Sequence, residues 1–193
     1  MITLVITGHI ATGKSLITSY LRAKYNAVVF SCDKFVDNIY RHDHDIIHRM
    51  GRLLGIESEF IDKKYIIQRL LFDSSLLPKI EKIVFPKVYE GITDFIRSNF
   101  SSTLLVFEIP LLSTLDIEFN YVMEVLSSYE IVYNRLLNRG YDREYIDYIM
   151  NYQSEKKDTC YNGDRFKVRN DGQKQEVFDA VDKYIHTIFE DIK

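Results

Sequence analysis

Eight residues near the N-terminus, Gly8-His9-Ile10-Ala11-Thr12-Gly13-Lys14-Ser15, fit the spacing G-x-x-x-x-G-K-[S/T]. Such a stretch can hold phosphate. Its glycines let the backbone turn so tightly that successive N–H groups point at one anion, and a helix starting at the loop adds the positive end of its dipole. Lys14 is placed to reach the β- and γ-phosphates of a nucleotide, and the Ser15 hydroxyl to ligate Mg²⁺. The alternative is a plain strand-to-helix turn. Against it, the apolar run ITLVIT precedes the loop and the helical pattern KSLITSYLRAKY follows, which is the context the motif requires.

Other residues with suitable chemistry fall at the ends of predicted strands. Asp33, just past the run AVVFS, is placed to take a proton from an attacking hydroxyl, or else to cap a helix beginning at Lys34. Glu108, in LVFEIPLL, can hold Mg²⁺ through water. Arg135 and Arg139 lie four apart on one helical face and can neutralise a transferring phosphoryl group, or else are solvated surface arginines. Lys156, Lys157 and Arg165 punctuate a polar, glycine-containing stretch with the composition of a lid that closes over ATP. His42, His44 and His48 suggest metal ligands by spacing, but in so polar a stretch solvated surface is the better expectation. Cys32 and Cys160 fit neither a metal spacing nor a disulfide framework and are expected to be reduced thiols, Cys32 a small buried residue at a strand end.

The elements that must position these groups read as alternating strands and helices. Strands are expected at 2–7, 27–31, 103–109, 121–126 and 165–169, as continuous apolar runs suited to a parallel sheet buried on both faces. Residues 32–102 carry no strand signal. There Asp62 is expected to cap one helix and Ser74 or Ser75 the next, with Pro86 kinking or breaking the second. Ser127 or Ser128 can cap a helix that Gly140 ends, another starts at Asp142, and residues 173–192 form an amphipathic closing helix.

Size and composition set limits. The 193 residues suffice for one domain with a core, and 46% hydrophobic with 27% charged residues is ordinary for a soluble protein. A net charge of −3 argues against a nucleic-acid binder. The N-terminal run MITLVI is too short for a signal sequence and no stretch approaches a membrane span, so a cytoplasmic protein without a membrane partner is expected.

In this order the pieces resemble the dephospho-coenzyme A kinase family of P-loop kinases. The resemblance is carried by TGxxxTGKS, FSCDKF, LGIESEFIDKKYIIQRLLFDSSLLPKIEKIVFPKV, VFEIPLL, NRLLNRG, Gln153 opening the lid, and VRNDG. It implies an α/β P-loop kinase fold: a five-stranded parallel sheet flanked by helices, with a helical acceptor-binding insertion and a lid segment. The whole chain 1–193 would be one domain, with a core of 1–33 and 101–193, an insertion over about 34–100 and a lid over about 141–164.

By the same resemblance Gly8, Ala11, Thr12, Gly13, Lys14, Ser15 and Leu16 bind the ATP phosphates, and Asp33 is the base. Arg135 and Arg139 join Lys14 in catalysis, Gln153 and Lys156 belong to the lid, and Asn170 lies near the adenine. The implied reaction is transfer of the γ-phosphoryl of ATP to the ribose 3′-hydroxyl of dephospho-CoA, with Mg²⁺, by a monomer or weak oligomer. Departures from the family pattern are His9 and Ala11 where glycines are usual, Phe85-Pro86 for His-Pro, Tyr89 for an arginine, and Glu108 for aspartate. Ala11 is compatible with the loop only at negative φ. Other readings left open are a different P-loop small-metabolite or nucleotide kinase, and a nucleotide-binding switch without phosphoryl transfer.

Overall fold

The computed structural model describes residues 1–110, 117–155 and 165–190. In chain order the elements are β1 (Ile2–Thr7), α1 (Lys14–Tyr25), β2 (Val28–Ser31), α2 (Cys32–His42), α3 (His44–Leu54), α4 (Lys63–Phe72), α5 (Leu76–Ser98), β3 (Leu104–Glu108), β4 (Tyr121–Leu126), α6 (Tyr129–Asn138), α7 (Arg143–Glu155), β5 (Arg165–Arg169) and α8 (Lys174–Glu190). They fall into two compact units, one of Met1–Phe30 with Asn99–Lys193 and one of Ser31–Ser98.

The first unit is built on a five-stranded all-parallel sheet in the order β2-β3-β1-β4-β5. All six residues of β1 are buried, as a central parallel strand covered on both faces requires. Register matters for function. Ile6 lies opposite both Glu108 of β3 and Met123 of β4, so Glu108 reaches the end of its strand level with the point where β1 gives way to the glycine loop. Beyond β4 and β5 the pairing is carried one residue further by the Asn170 N–H, which donates to the Leu126 carbonyl at 2.7 Å.

One face of the sheet is covered by α1 and α8. From α8, Val177, Val181, Ile185 and Ile188 recur at helical spacing and pack with Ile17 and Leu21 of α1 against Leu4, Ile6, Val106 and Val125. Each such buried side chain contributes about 1.5–3 kcal/mol. A polar clasp joins the two helices at their edge: the Asp182 carboxylate accepts from the Tyr20 hydroxyl (2.9 Å), the Tyr25 hydroxyl (2.8 Å) and the Lys24 ammonium (2.6 Å). The Tyr20 ring stacks on Phe178 with centroids 4.0 Å apart.

The second unit is helical throughout. Asp43 separates α2 from α3 and caps the latter, its carboxylate accepting the Ile46 N–H at 3.1 Å. Asp62 caps α4 by accepting the Lys64 N–H at 2.8 Å, as its position predicts. At α5, where Ser74 or Ser75 is the expected cap, Ser75 directly precedes the helix and the Asp73 carboxylate accepts its N–H at 3.0 Å. The helix also runs through Pro86 without a break. Leu76, Ile80, Val84, Val88 and Ile92 form one buried stripe on both sides of the proline, and their burial offsets the lost backbone hydrogen bond.

Candidate active site

The loop between β1 and α1 needs glycine at two places. Gly8 has φ +136, and a Cβ there would lie 2.3 Å from the Val125 carbonyl oxygen. Gly13 has φ +108, and a Cβ there would lie 2.0 Å from the Asn170 amide nitrogen. The α1 helix starts at this second glycine with no side-chain cap and no acidic residue in its first turn. Its leading N–H groups and dipole are thereby left to an anion rather than to the protein's own carboxylates.

Lys14, 6% exposed, donates its ammonium protons to the Gly8 carbonyl at 2.7 Å and the His9 carbonyl at 2.8 Å, so its charge is held within the curl of the loop. Next to it the Ser15 hydroxyl donates to Glu108 Oε1 at 2.6 Å. Ser15 and Glu108, both expected at the same ion, lie far apart in the sequence, and the strand register brings them together. The pair offers oxygen only, a hydroxyl and a 5%-exposed carboxylate. That is the donor set Mg²⁺ prefers: one or two protein oxygens, the remaining positions going to water and phosphate.

Ala11 departs from expectation. Its φ is +59, in the left-handed region, where a negative value was expected of a non-glycine residue. Two contacts hold it there. The methyl group is buried among Val132, Leu136 and Ile146 of α6 and α7, and the carbonyl accepts from Arg135 at 3.0 Å.

Arg135, expected either to neutralise a transferring phosphoryl group or to be a solvated surface arginine, is half-buried and bonded to the loop. Its Nη1 donates to the carbonyls of Ala11 and Thr12 (3.0 and 3.1 Å) and to the Ser127 hydroxyl (3.1 Å), and its Nη2 to the Asn170 carbonyl (2.9 Å). Burial lowers its pKa, the Asp171 charge opposes this, and the guanidinium stays protonated. Arg139, one turn on, caps the end of α6 and is exposed.

Asn170 is 4% exposed, and its amide donates to the Thr12 carbonyl at 2.7 Å, so its side chain backs the phosphate loop. Gln153, also buried, accepts the Ile10 N–H at 2.8 Å. The expected lid covers about residues 141–164, and the helix expected there from Asp142 is α7, Arg143–Glu155, with Ile146 and Gln153 buried. Lys156, Lys157 and Cys160, like Leu111 and Leu112 of the PLL motif, lie outside the described residues, and Arg165 opens β5. A cavity of about 270 Å³ lies beside the loop, bounded by His9, Ile10, Thr12, Tyr129, Met150 and Gln153.

Two contributors escaped sequence reasoning. Ser127 or Ser128 is expected to cap α6; the N-cap residue is Ser128, without a side-chain capping bond, and the Ser127 hydroxyl proton is instead shared between the carbonyls of Asn170 (2.9 Å) and Thr12 (3.2 Å). Asp171 accepts the Ser128 N–H at 2.7 Å, and that bond, with Arg169 nearby, holds its carboxyl below the usual range. No local spacing signals either contact.

In the second unit Asp33 is not the cap of a helix from Lys34. The helix α2 starts at Cys32 behind Ser31, which puts Asp33 in its first turn, exposed, where a carboxylate suits the helix dipole. The Lys63 ammonium anchors this turn, 2.6 Å from Asp37 and 3.4 Å from the Asp33 carbonyl. Cys32 is buried, His42, His44 and His48 are exposed, Phe85 is half-buried and Tyr89 is exposed.

The chain is similar to known kinases in sequence and in fold. A family model described as dephospho-CoA kinase matches residues 2–176. The chain is 26% identical to the dephospho-CoA kinase of Fusobacterium nucleatum over 189 residues, covering 95% of this chain and 96% of that protein. It is 29% identical to the dephospho-CoA kinase of Ehrlichia canis over 145 residues, 70% of each. A solved dephospho-CoA kinase structure from Campylobacter jejuni shares the fold with a TM-score of 0.63 at 17% identity, covering 99% of this chain and 98% of that one. A match of this extent to the family model, on a chain that carries the phosphate loop, means that the protein belongs to the dephospho-CoA kinase family.

Proposed function

We propose that this kinase transfers the γ-phosphoryl of ATP to the ribose 3′-hydroxyl of dephospho-CoA, giving coenzyme A and ADP. The observation that carries the phosphoryl-transfer chemistry is the meeting of Lys14, Ser15 and Glu108 at one loop, with the Ser15–Glu108 contact at 2.6 Å. The acceptor is carried by family membership.

In this mechanism N–H groups of the Ala11–Leu16 segment bind the β- and γ-phosphates with the Lys14 ammonium and take up the charge that builds on them. Those of Gly13, Lys14 and Ser15 are foremost, because Thr12 and Leu16 donate to the His9 and Gly13 carbonyls. Ser15 and Glu108 would hold Mg²⁺, which would supply neutralising charge to the phosphate oxygens. Asp33 accepts the proton of the 3′-hydroxyl as its oxygen bonds to the γ-phosphorus, and the bond from that phosphorus to the β–γ bridging oxygen breaks to release ADP. Arg139 supplies positive charge to the group in transit. The Ser31–Ser98 unit receives the acceptor, and the lid, placed at about residues 141–164 of which 156–164 lie outside the described residues, excludes water from the nucleotide. A cytoplasmic monomer or weak oligomer with no nucleic-acid or membrane partner goes with this function; among the described residues no helix is long and apolar enough to cross a membrane.

Asp33→Asn tests the division of labour. It should lower kcat by at least about a hundredfold while ATP affinity changes less than about threefold, because the carboxylate acts on the acceptor proton and not on the nucleotide. Equal losses in both would remove Asp33 from the role of base.

A further inference from the structure

A left-handed alanine in a phosphate loop needs something to hold it. The conformation costs alanine about 1–2 kcal/mol relative to glycine, and alone the residue would relax to negative φ. Burial of its one methyl group among Val132, Leu136 and Ile146 returns about 0.8 kcal/mol. The remaining restraint is the carbonyl, and it is supplied from α6.

The Arg135 guanidinium grips two consecutive loop carbonyls, Ala11 at 3.0 Å and Thr12 at 3.1 Å, from a single nitrogen. The carbonyl and N–H of a trans peptide unit point in opposite directions. Drawing the Ala11 and Thr12 carbonyls to Arg135 therefore turns the N–H groups of Thr12 and Gly13 away from it. The Thr12 N–H meets the His9 carbonyl at 3.5 Å, the same carbonyl that Lys14 reaches, and the Gly13 N–H is left to an anion. The Thr12 carbonyl is pinned further by the Asn170 amide (2.7 Å) and the Ser127 hydroxyl (3.2 Å). Arg135 completes the ring by donating to Ser127 and to the Asn170 carbonyl.

We propose that Arg135 is a positioning residue of the phosphate loop: its hold on the Ala11 and Thr12 carbonyls aims the loop N–H groups at bound phosphate and is what lets alanine stand at a left-handed position, an inference that rests on residues 8–15 being the nucleotide-phosphate loop. The cation required by phosphoryl transfer then comes from elsewhere, and Arg135 acts before any acceptor is bound.

The test is ADP binding by calorimetry, with Mg²⁺ and no acceptor, well below the melting temperature of each variant. Arg135→Met should weaken ADP binding by at least about tenfold, since a charged donor to several buried carbonyls is lost. Arg135→Lys, which keeps the charge but reaches fewer acceptors, should fall between, and it stands in if the methionine variant does not fold. In an Ala11→Gly background the penalty of Arg135→Met should shrink to about threefold, because glycine adopts the left-handed conformation without being held. Undiminished ADP affinity with a collapse in kcat would make Arg135 a transition-state cation and overturn the proposal. An equal loss of affinity in both backgrounds would overturn it too, since Arg135 would then act on the nucleotide independently of Ala11. Failure of the wild-type protein to bind ADP would sink the nucleotide-loop assignment and this inference with it.

Discussion

Replacing Glu108 by glutamine separates what this carboxylate does for the fold from what it does for the reaction. The side chain is 5% exposed and accepts the Ser15 hydroxyl at 2.6 Å. Burying a carboxylate is costly unless it is paired, and glutamine keeps the shape and a carbonyl acceptor for Ser15 while removing the charge. The empty protein should therefore lose no stability and can gain some. Binding of Mg²⁺ should change in the opposite direction. A unit negative charge about 4 Å from a dication is worth roughly 8 kcal/mol at an effective dielectric of about 20, and desolvation returns most of that sum. A remainder of about 1.4–2.8 kcal/mol raises the Mg²⁺ concentration for half-activation by about 10–100-fold. The assay is ADP release as a function of Mg²⁺ at fixed ATP, alongside a thermal melt without nucleotide. An unchanged Mg²⁺ requirement would refute the reasoning by making Glu108 only a buried partner of Ser15. A melt lowered by several degrees would refute the opposite-sign argument.

Two further substitutions probe the loop and the fold. Gly13→Ala forces a side chain into φ +108 and to within 2.0 Å of the Asn170 amide, so ADP affinity should fall by at least about a hundredfold; adding Asn170→Ala should recover part of it by removing the clash. Calorimetry decides, and wild-type affinity in Gly13→Ala would show that the loop is not held as described. At Asp182, burial pushes the carboxyl up, but hydrogen bonds from Lys24, Tyr25 and Tyr20 outweigh it and hold the carboxyl below its ordinary value. A depressed folded pKa contributes stability above the unfolded value near pH 4 and loses it as pH falls through the folded value. Asp182→Asn should therefore cost about 1–2 kcal/mol at pH 7 through weaker bonds from the two tyrosines, and should flatten the acid limb below about pH 4. Denaturant titrations across pH check this, and an unaltered acid limb would count against the clasp.

The elements of local origin were legible in the sequence, and those held by distant contacts were not. The apolar runs of β1 and β4 and the alternation of RFKVR in β5 match their strands to the residue, and the phosphate loop is plain because its glycines, lysine and serine fall within eight residues. Ala11 was misjudged because alanine's own preference is for negative φ, while the groups that reverse it, Arg135 and the α6–α7 cluster, lie more than a hundred residues away. Arg135 and Arg139 share a helical periodicity, but periodicity does not reveal that one of them meets four acceptors on the loop and the strand ends. The start of α2 was placed late because Ser31 can end a strand or precede a helix equally well, and here it does both. Of the kink or break that Pro86 implies, the break does not occur, because the cost of a mid-helix proline is local, whereas the stripe from Leu76 to Ile92 that outweighs it is spread over most of the helix.

The central claim is tested most directly by measuring ADP release from Mg-ATP with dephospho-CoA and, in parallel, with a panel of nucleoside monophosphates and deoxynucleosides. Release with dephospho-CoA, with the new phosphate on the ribose 3′-oxygen of the product and at least about a hundredfold preference in kcat/KM over every other acceptor, is the predicted result. Preference for another acceptor would leave the fold and the ATP loop in place and contradict the assigned reaction at the Ser31–Ser98 unit.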